Sequence, residues 1–218
     1  MMIEKHKSVS LADCVFERLE NDILGGKYAY GEILTEARLC EEMGVSRTPI
    51  REAIRRLQQE NILRETGKGV VVNGITKDDI RDILDIRARI EGIAARRAVE
   101  NMTDEQKKAL ANAVDLQEFY VSKADADHVQ WQDHEFHELI YAGCGSATLQ
   151  DTLVPLHRKA QKFRRASVEK VTRATASTEE HRRICEAILA GDGDAAEAAM
   201  NEHIAHARDR MLGQLGIE

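Results

Sequence analysis

Proline is almost absent from this sequence, which has only 2 prolines among its 218 residues. Proline breaks helices, so its shortage, together with many alanine, glutamate, arginine and leucine residues, favours a mainly helical protein. Hydrophobic residues make up 43% of the chain and charged residues 32%, which is ordinary for a soluble globular protein. The length suits one large domain or two small ones.

Long hydrophobic runs are also missing. There is no stretch of about 18 apolar residues that would form a transmembrane helix, and the opening MMIEKHKSVS lacks the apolar segment of a secretory signal. The 4 cysteines stand singly, without C-x-x-C pairs, and are predicted to be free thiols in a reducing cytosol. We therefore expect a cytoplasmic protein with no membrane partner.

The two halves of the chain differ in pattern. Residues 11–75 alternate short helical patterns with turns and end in a strand-like run, whereas residues 76–218 indicate long helices only. The break falls at NGIT, residues 73–76, where Thr76 is a candidate N-cap followed by acids in the first helical turn. We predict one domain at 8–74 and a second at 76–218.

The first half has the element order of a winged helix-turn-helix. A helix in SLADCVFERLENDILGG ends at a Gly-Gly pair, and a short helix is predicted at about 35–43. The turn GVS leads into a helix that Ser46 is placed to cap, with Pro49 in its first turn. Two β-prone runs, NILRE and VVVN, flank the turn TGKG and predict a hairpin, which is the wing.

The charge of this region favours DNA as a partner. The net charge of the whole chain is −7, which argues against a wholly basic protein, but residues 46–68 hold six basic and three acidic side chains. A helix fits the major groove, arginines at its start reach phosphates and guanine edges, and a lysine in a wing reaches the backbone or minor groove. The alternative is a solvated amphipathic helix beside a hairpin.

The stretch GVSRTPIREAIRRLQQENIL resembles the DNA-binding domain of the GntR superfamily of bacterial transcription regulators, and with its flanks the resemblance covers residues 11–72. The resemblance implies that Arg47 and Arg51 contact DNA, with Ser46 and Thr48 supporting them. It further implies that the wing around Gly67, Lys68 and Gly69 approaches the minor groove.

Two positions depart from that family pattern. Asn61 stands where the family often has glycine, and Ala37 stands where some relatives carry an arginine. The neighbouring Arg38 is therefore included as a candidate DNA contact.

The second half resembles the all-helical FCD effector domain of the FadR-type branch, in its shorter, VanR-like version. The stretches IRARIE, DHEFHELIYAG, TEEHRRICEAILAGD and AAMNEHI carry this resemblance. Six helices are predicted, at about 77–101, 104–122, 126–143, 146–168, 177–190 and 193–214. The expected fold is therefore a winged helix-turn-helix followed by a bundle of about six helices.

The stretch WQDHEFHELI, residues 131–140, superficially suggests the zinc-protease signature H-E-x-x-H. His134 and His137 are only three residues apart, so the protease spacing is not met. Asp133 and His137 are four apart and share one helical face, whereas His134 points about 100° away. Spacing alone leaves two interpretations open, which are half of a metal site and a simple surface pair.

The FCD resemblance implies a metal site made of one aspartate and three histidines. The matching residues here are Asp133, His137, His181 and His203, on three predicted helices. Such ligands suit a divalent ion, with zinc the first choice and nickel or manganese the alternatives. His206, three residues past His203, is the fallback ligand.

Protein ligands of this number leave coordination positions open, so we expect a small carboxylate effector to bind the metal. Arg87 matches the family's inward arginine and is expected to pair with the effector, the alternative being a salt bridge to Glu91. The resemblance implies a homodimer on a palindromic operator, acting as a repressor.

Two other functions compete with this hypothesis. One is a sensor of the metal ion itself. The other is a metallohydrolase, which is disfavoured because no G-x-S-x-G motif occurs and Glu135 lies off the helical face of Asp133.

Overall fold

The computed structural model describes residues 10–166 and 172–215. These residues form two compact units that divide between Thr76 and Lys77, each with its own hydrophobic core. The predicted start of the first domain at residue 8 lies outside the described residues. Among the helices that the structure describes, none is long and apolar enough to cross a membrane.

The N-terminal unit contains three helices and a small antiparallel sheet. The helices are α1 (Leu11–Leu24), α2 (Glu36–Met43) and α3 (Arg47–Gln59), and the strands are β1 (Ile33–Leu34), β2 (Leu63–Thr66) and β3 (Gly69–Val72). α1 begins with a capping box between Ser10 and Asp13, and α3 buries one apolar stripe against α1. The predicted helices and hairpin are all present, which confirms the winged helix-turn-helix.

The start of α3 differs from the prediction in one respect. Ser46 is the N-cap residue with extended backbone angles, but its side chain makes no capping hydrogen bond. Ser46 is exposed at this turn, so water can satisfy the first N–H groups of the helix. Asn61, which follows the helix, has a φ of 58°, a conformation that glycine and asparagine adopt most readily.

The sheet has the order β1-β3-β2, and the short strand β1 was not predicted. β1 pairs with β3 through Ile33 opposite Val71 and Leu34 opposite Val70. Gly69, at φ 141°, lies so close to β1 that a Cβ atom there would overlap the backbone oxygen of Leu34. Gly69 therefore has a structural role in joining the wing to β1, in addition to its predicted place near DNA.

The C-terminal unit is built from helices in the described part of the chain. They are α4 (Lys77–Asn101), α5 (Asp104–Ser122), α6 (Ala126–Gly143), α7 (Ala147–Ala166), α8 (Thr172–Ala190) and α9 (Gly193–Leu215). Their number agrees with the prediction of six. α8 begins five residues earlier than expected, and the predicted end of α7 at residue 168 lies outside the described residues.

The helices of this unit surround one apolar core. α4 packs along α9 and also contacts α6, α7 and α8, while α5 lies between α6 and α8. The core includes Ala94, Leu110, Phe136, Ile140, Ile184 and Met200, all fully buried. This arrangement points the inner faces of α4, α6, α8 and α9 toward a common space.

We predict that Gly69→Ala destabilises the N-terminal unit by about 1–3 kcal/mol, because it adds strain at a positive φ and a backbone clash. Gly67→Ala is the matched control, since a Cβ atom at Gly67 meets nothing within 4 Å. Urea unfolding, with hydrogen exchange at the amides of β3, measures both. Equal stability of the two variants would contradict the role assigned to Gly69.

Candidate functional site

The inner face of α6 carries two of the predicted metal ligands. Asp133 and His137 are buried one helical turn apart, whereas His134 and Glu135 are only partly buried. Phe136, which precedes His137 in the sequence, is fully buried and stacks on His181 of α8 with ring centroids 4.2 Å apart. The packing of Phe136 therefore fixes the orientation of α6 and supports the imidazole of His181.

Three of the predicted ligands converge in the core of the bundle. His137, His181 and His203 are buried, and their ligand nitrogens all lie within 4.8 Å of one another. Nε2 of His203 is 3.3 Å from Nε2 of His181 and 3.3 Å from Nε2 of His137. The residues come from α6, α8 and α9, so the site exists only when these helices pack together.

The other nitrogen of each imidazole faces an oxygen acceptor. Nδ1 of His181 lies 2.7 Å from Oε1 of Gln117, and Nδ1 of His203 lies 2.7 Å from Oε2 of Glu180. Nδ1 of His137 is 3.2 Å from Oε2 of Glu91. Gln117 and Glu180 place the ring protons of neutral His181 and His203 on Nδ1. The carboxylate of Glu91 favours the same tautomer of His137 by its charge, without a hydrogen bond to Oε2. With this tautomer the three Nε2 atoms present lone pairs to one another.

Converging lone pairs fit a bound cation. Two unprotonated nitrogens 3.3 Å apart cannot hydrogen-bond to each other. Zinc–nitrogen bonds of about 2.0–2.1 Å at a tetrahedral ion would separate the nitrogens by about 3.3 Å. Burial also lowers the pKa of His203, although Glu180 acts in the opposite direction, which favours the neutral form that a metal requires.

Asp133 lies beside this cluster. Its Oδ1 is 3.9 Å from Nε2 of His181, and its Oδ2 accepts a hydrogen bond of 2.8 Å from Nε2 of Gln161. The structure thus brings three predicted ligands together and places the fourth at the edge of the group. The fallback residue His206 is directed elsewhere, because its Nδ1 binds Oε1 of Glu180 at 2.7 Å.

Glu180 links two of these histidines and is itself buried. Burial raises its pKa, but the hydrogen bonds from His203 and His206 outweigh this effect and lower the pKa to about 2. Glu180 is therefore a carboxylate over the whole physiological range. It can fix the tautomer and orientation of His203 and increase the basicity of its Nε2.

A second buried group surrounds Arg87 of α4. Its Nε donates to Oε1 of Glu91, and its Nη2 donates to Nδ1 of His157 at 3.1 Å. Burial opposes ionisation of Glu91, but Arg87 and His137 hold its pKa well below the usual range. Glu91, His137 and His157 also lie within 4.8 Å of one another. The positive charge of Arg87 beside Glu91 and His157 disfavours a metal ion at this second group.

The histidine cluster opens into a cavity of about 310 Å³. Several of its walls are polar, and the charged or hydrogen-bonding residues in them include Arg87, Gln117, Gln130, Asp133, Gln161, Ser177, His203 and Arg210. A cavity of this size holds a small organic molecule. Its position beside the three histidines allows such a molecule to reach a bound metal.

The predicted DNA-contacting side chains lie on the surface of the N-terminal unit. Arg47, Thr48 and Lys68 are exposed. Arg51 is also exposed, and its Nε lies 2.9 Å from both carboxylate oxygens of Glu36 on α2. The Arg51 guanidinium is therefore held at the start of the helix that would enter the major groove.

Arg38 is less available than the other candidates. Its guanidinium binds Oε1 of Glu32 and Oε1 of Glu42, each at 2.7 Å, and lies over the ring of Tyr28. Both carboxylates and the ring belong to the same unit, so a role for Arg38 at DNA requires these contacts to be exchanged. Its role as a DNA contact stays a prediction.

Several residues of the site were missed by the sequence analysis. Gln117 and Glu180 lie at hydrogen-bonding distance from Nδ1 of His181 and His203. Glu91 was expected only as a salt-bridge partner of Arg87, and its Oε2 also lies 3.2 Å from Nδ1 of His137. Glu180 adjoins His181 in the sequence, yet it binds His203 on another helix. A helical wheel of α4 does place Glu91 one turn from Arg87, but no local signal connects Gln117 with His181.

Comparison with known proteins agrees with this architecture. Residues 11–72 match the family of bacterial regulatory proteins named gntR, and residues 82–206 match the FCD domain. The chain belongs to the GntR family, with a C-terminal FCD domain. This is a family of transcription regulators and not of enzymes, and FCD domains often bind metals.

Individual relatives are regulators as well. The chain is 36% identical over 118 residues to the gluconate operon transcriptional repressor of Bacillus licheniformis, covering 54% of this chain and 49% of that protein. The chain thus spans about half the length of that relative. It is 28% identical over 191 residues to the transcriptional repressor RspR of Escherichia coli, covering 87% and 84% of the two chains.

Among solved structures, Escherichia coli McbR/YncC is similar to this chain with a TM-score of 0.74 and 22% identity, covering 95% of this chain and 99% of that one. At this identity the likeness shows the fold alone. It supports the assignment of a winged helix-turn-helix joined to a helical domain.

We predict that Glu180→Gln lowers zinc affinity by roughly 10- to 100-fold. A neutral amide accepts a weaker hydrogen bond from Nδ1 of His203, so it orients the ring less firmly and makes Nε2 a less basic ligand. Glu179→Gln is the matched control, since Glu179 is the exposed neighbour on the same helix. Competition with a chromophoric chelator measures the affinities. Equal values for Glu180→Gln and the wild type would show that Glu180 does not position a metal ligand.

Proposed function

We propose that this GntR-family protein is a sequence-specific transcription repressor whose affinity for its operator changes when a small carboxylate binds at a divalent metal in the helical domain. The observation that supports this proposal most is the convergence of three Nε2 lone pairs beside a cavity of about 310 Å³. A buried ion next to a small-molecule cavity suits a sensor.

The DNA-binding part of the proposal rests on α3 and the wing. Arg47 and Arg51 are exposed at the start of α3, with Ser46 and Thr48 beside them, and Lys68 is exposed at the hairpin turn. Arginine forms paired hydrogen bonds with guanine edges, and a lysine in the wing suits phosphate. Two copies related by a two-fold axis would read a palindromic operator, so we propose a homodimer acting in the cytoplasm.

The sensing part of the proposal rests on the histidine cluster and the cavity. His137, His181 and His203 would hold the ion, with Asp133 as the fourth ligand, and zinc is the ion that three imidazoles and one carboxylate suit best. A bound divalent ion supplies a positive centre to which an organic acid can coordinate. Arg87, the effector contact expected from the sequence, lines the same cavity.

Binding of the acid must be coupled to binding of DNA. An acid alters operator affinity only if it binds the DNA-competent and DNA-incompetent states unequally. The two effects are then reciprocal, because the factor by which the acid changes operator affinity equals the factor by which the operator changes acid affinity. This reciprocity separates a regulator from a protein that merely binds an acid.

A metal sensor that needs no acid is the second candidate. It is supported by the same three histidines, whose Nδ1 partners hold them in a geometry suited to an ion on its own. For such a sensor, operator affinity would follow metal concentration in the absence of any acid.

We predict that an acid acts on operator binding only in the metal-loaded protein. The operator is first selected from a genomic library with the full-length protein, and acetate, glycolate, succinate and gluconate are then titrated with and without chelator. Gluconate is included because two relatives are named as repressors of a gluconate operon. An acid effect that survives complete metal removal would contradict the proposal, and a metal effect without acid would favour the second candidate.

We also predict that Arg51→Ala strongly weakens the preference for the selected operator, because it removes a bidentate donor at the start of α3. The loss expected for one good bidentate contact is about 1–3 kcal/mol. Arg55→Ala removes the same charge one turn further along α3 and serves as the control. Gel shifts at fixed salt on the operator and on scrambled DNA distinguish loss of specificity from loss of charge. An unchanged preference in Arg51→Ala would contradict the proposed contact.

A further inference from the structure

Two arginines line the cavity beside the histidine cluster, and their surroundings differ. Arg87 belongs to α4 and Arg210 to α9. A carboxylate that coordinates a metal through one end is held more selectively when a guanidinium binds it as well, because the planar fork matches both oxygens. The question is which arginine has donors available for it.

Arg87 is already engaged within the protein. Its side chain is only 6% exposed, its Nε donates to Glu91, and its Nη2 donates to His157. Moving it to an effector would leave Glu91 as a buried carboxylate without its cation, which is strongly unfavourable. Arg87 therefore serves as the buried counter-ion of Glu91, which in turn faces His137.

Arg210 is more exposed than Arg87 and is held less tightly by its neighbours. Its side chain is 33% exposed, and within the described residues its only recorded ion pair is with Oε1 of Glu180, at 3.7 Å. That distance is too long for a hydrogen bond. The same oxygen already accepts a hydrogen bond of 2.7 Å from His206. The guanidinium of Arg210 thus lines the cavity, and the residues that the structure describes leave most of its hydrogen-bonding capacity unused.

We propose that Arg210 is the residue that binds the anionic group of the effector, with Arg87 acting indirectly through Glu91. This inference rests on the proposed function, because it needs an acid in the cavity. Arg210 is electrostatically linked to Glu180, and Glu180 orients His203. If a bound acid draws Arg210 away from Glu180, the Glu180 carboxylate loses its contact with Arg210 and keeps its hydrogen bonds with His203 and His206. Occupation of the cavity is thereby connected to the packing of α8 against α9.

The test compares two arginines that are two residues apart on α9. Arg208 is similarly exposed, but it binds Asp85 at 2.6 Å and is not among the residues of the cavity wall. Zinc-loaded full-length wild type, Arg210→Gln and Arg208→Gln are titrated by calorimetry with acetate, glycolate, succinate and gluconate. Zinc content is measured for each protein, and all three are expected to retain the ion.

The expected result is that Arg210→Gln weakens binding of the acid that the wild type binds by roughly 10- to 100-fold, as for lost hydrogen bonds to a charged group. Arg208→Gln should bind as the wild type does, and Arg210→Lys should recover part of the loss because it restores charge but not the planar fork.

Two outcomes would overturn the inference. If the wild type binds an acid and Arg210→Gln binds it equally well, Arg210 is not the contact, while the proposed function stands. If the wild type binds none of the four acids with zinc present, the proposed function fails for this class of effector, and the inference fails with it.

Discussion

The C-terminal domain depends on one buried arrangement, in which Nε2 of His203 lies 3.3 Å from Nε2 of both His137 and His181 with lone pairs directed inward. Lone pairs in this geometry repel each other unless a cation lies among them. Gln117 and Glu180 maintain this arrangement, because they hold the Nδ1 protons of His181 and His203 on the outer side. The carboxylate of Glu91, 3.2 Å from Nδ1 of His137, favours the same tautomer there. Since the histidines belong to three helices, an ion at this point would also hold those helices together.

The charges around the cluster divide into two groups that differ in exposure and in how tightly they are paired. On one side, Arg87, Glu91 and His157 form a buried set whose members neutralise or hydrogen-bond one another. On the other side, Glu180 is buried and hydrogen-bonds His203 and His206, His206 reaches into solvent, and Arg210 is partly exposed and pairs with Glu180 only at 3.7 Å. Both sets contact a converging histidine through a carboxylate. The buried set is suited to hold the helices in place, whereas the loosely paired Arg210 of the other set can exchange Glu180 for a ligand.

Local patterns in the sequence were sufficient for most of the fold. α4, α5 and α6 begin and end where predicted, because apolar periodicity, acids in the first turn and N-caps such as Thr103 are signals within a few residues. β1 was missed because it has two residues, and its pairing with β3 depends on residues 36 to 38 positions away, such as Ile33 with Val71. Ser46 occupies its expected position without its expected bond, which residue type alone does not determine.

The site was less predictable than the fold. The helical face shared by Asp133 and His137 follows from spacing, but the addition of His181 and His203 came from the resemblance to FCD domains. The partners of these histidines could not be predicted, because Gln117 lies 64 residues from His181 and Glu180 lies 23 residues from His203. The contrast between Arg87 and Arg210 arises only when α4, α8 and α9 are packed together. Side-chain pairing across helices is therefore what the structure adds.

X-ray absorption at the zinc edge of the zinc-loaded protein reports the atoms bound to the ion, and so tests whether the three histidines bind it. We predict three imidazole nitrogens at about 2.0–2.1 Å, with oxygen completing the coordination. A variant in which His137, His181 and His203 are all replaced by alanine should lose this signature. A spectrum of the wild type without imidazole scattering, or one that is unchanged in the triple variant, would contradict the account.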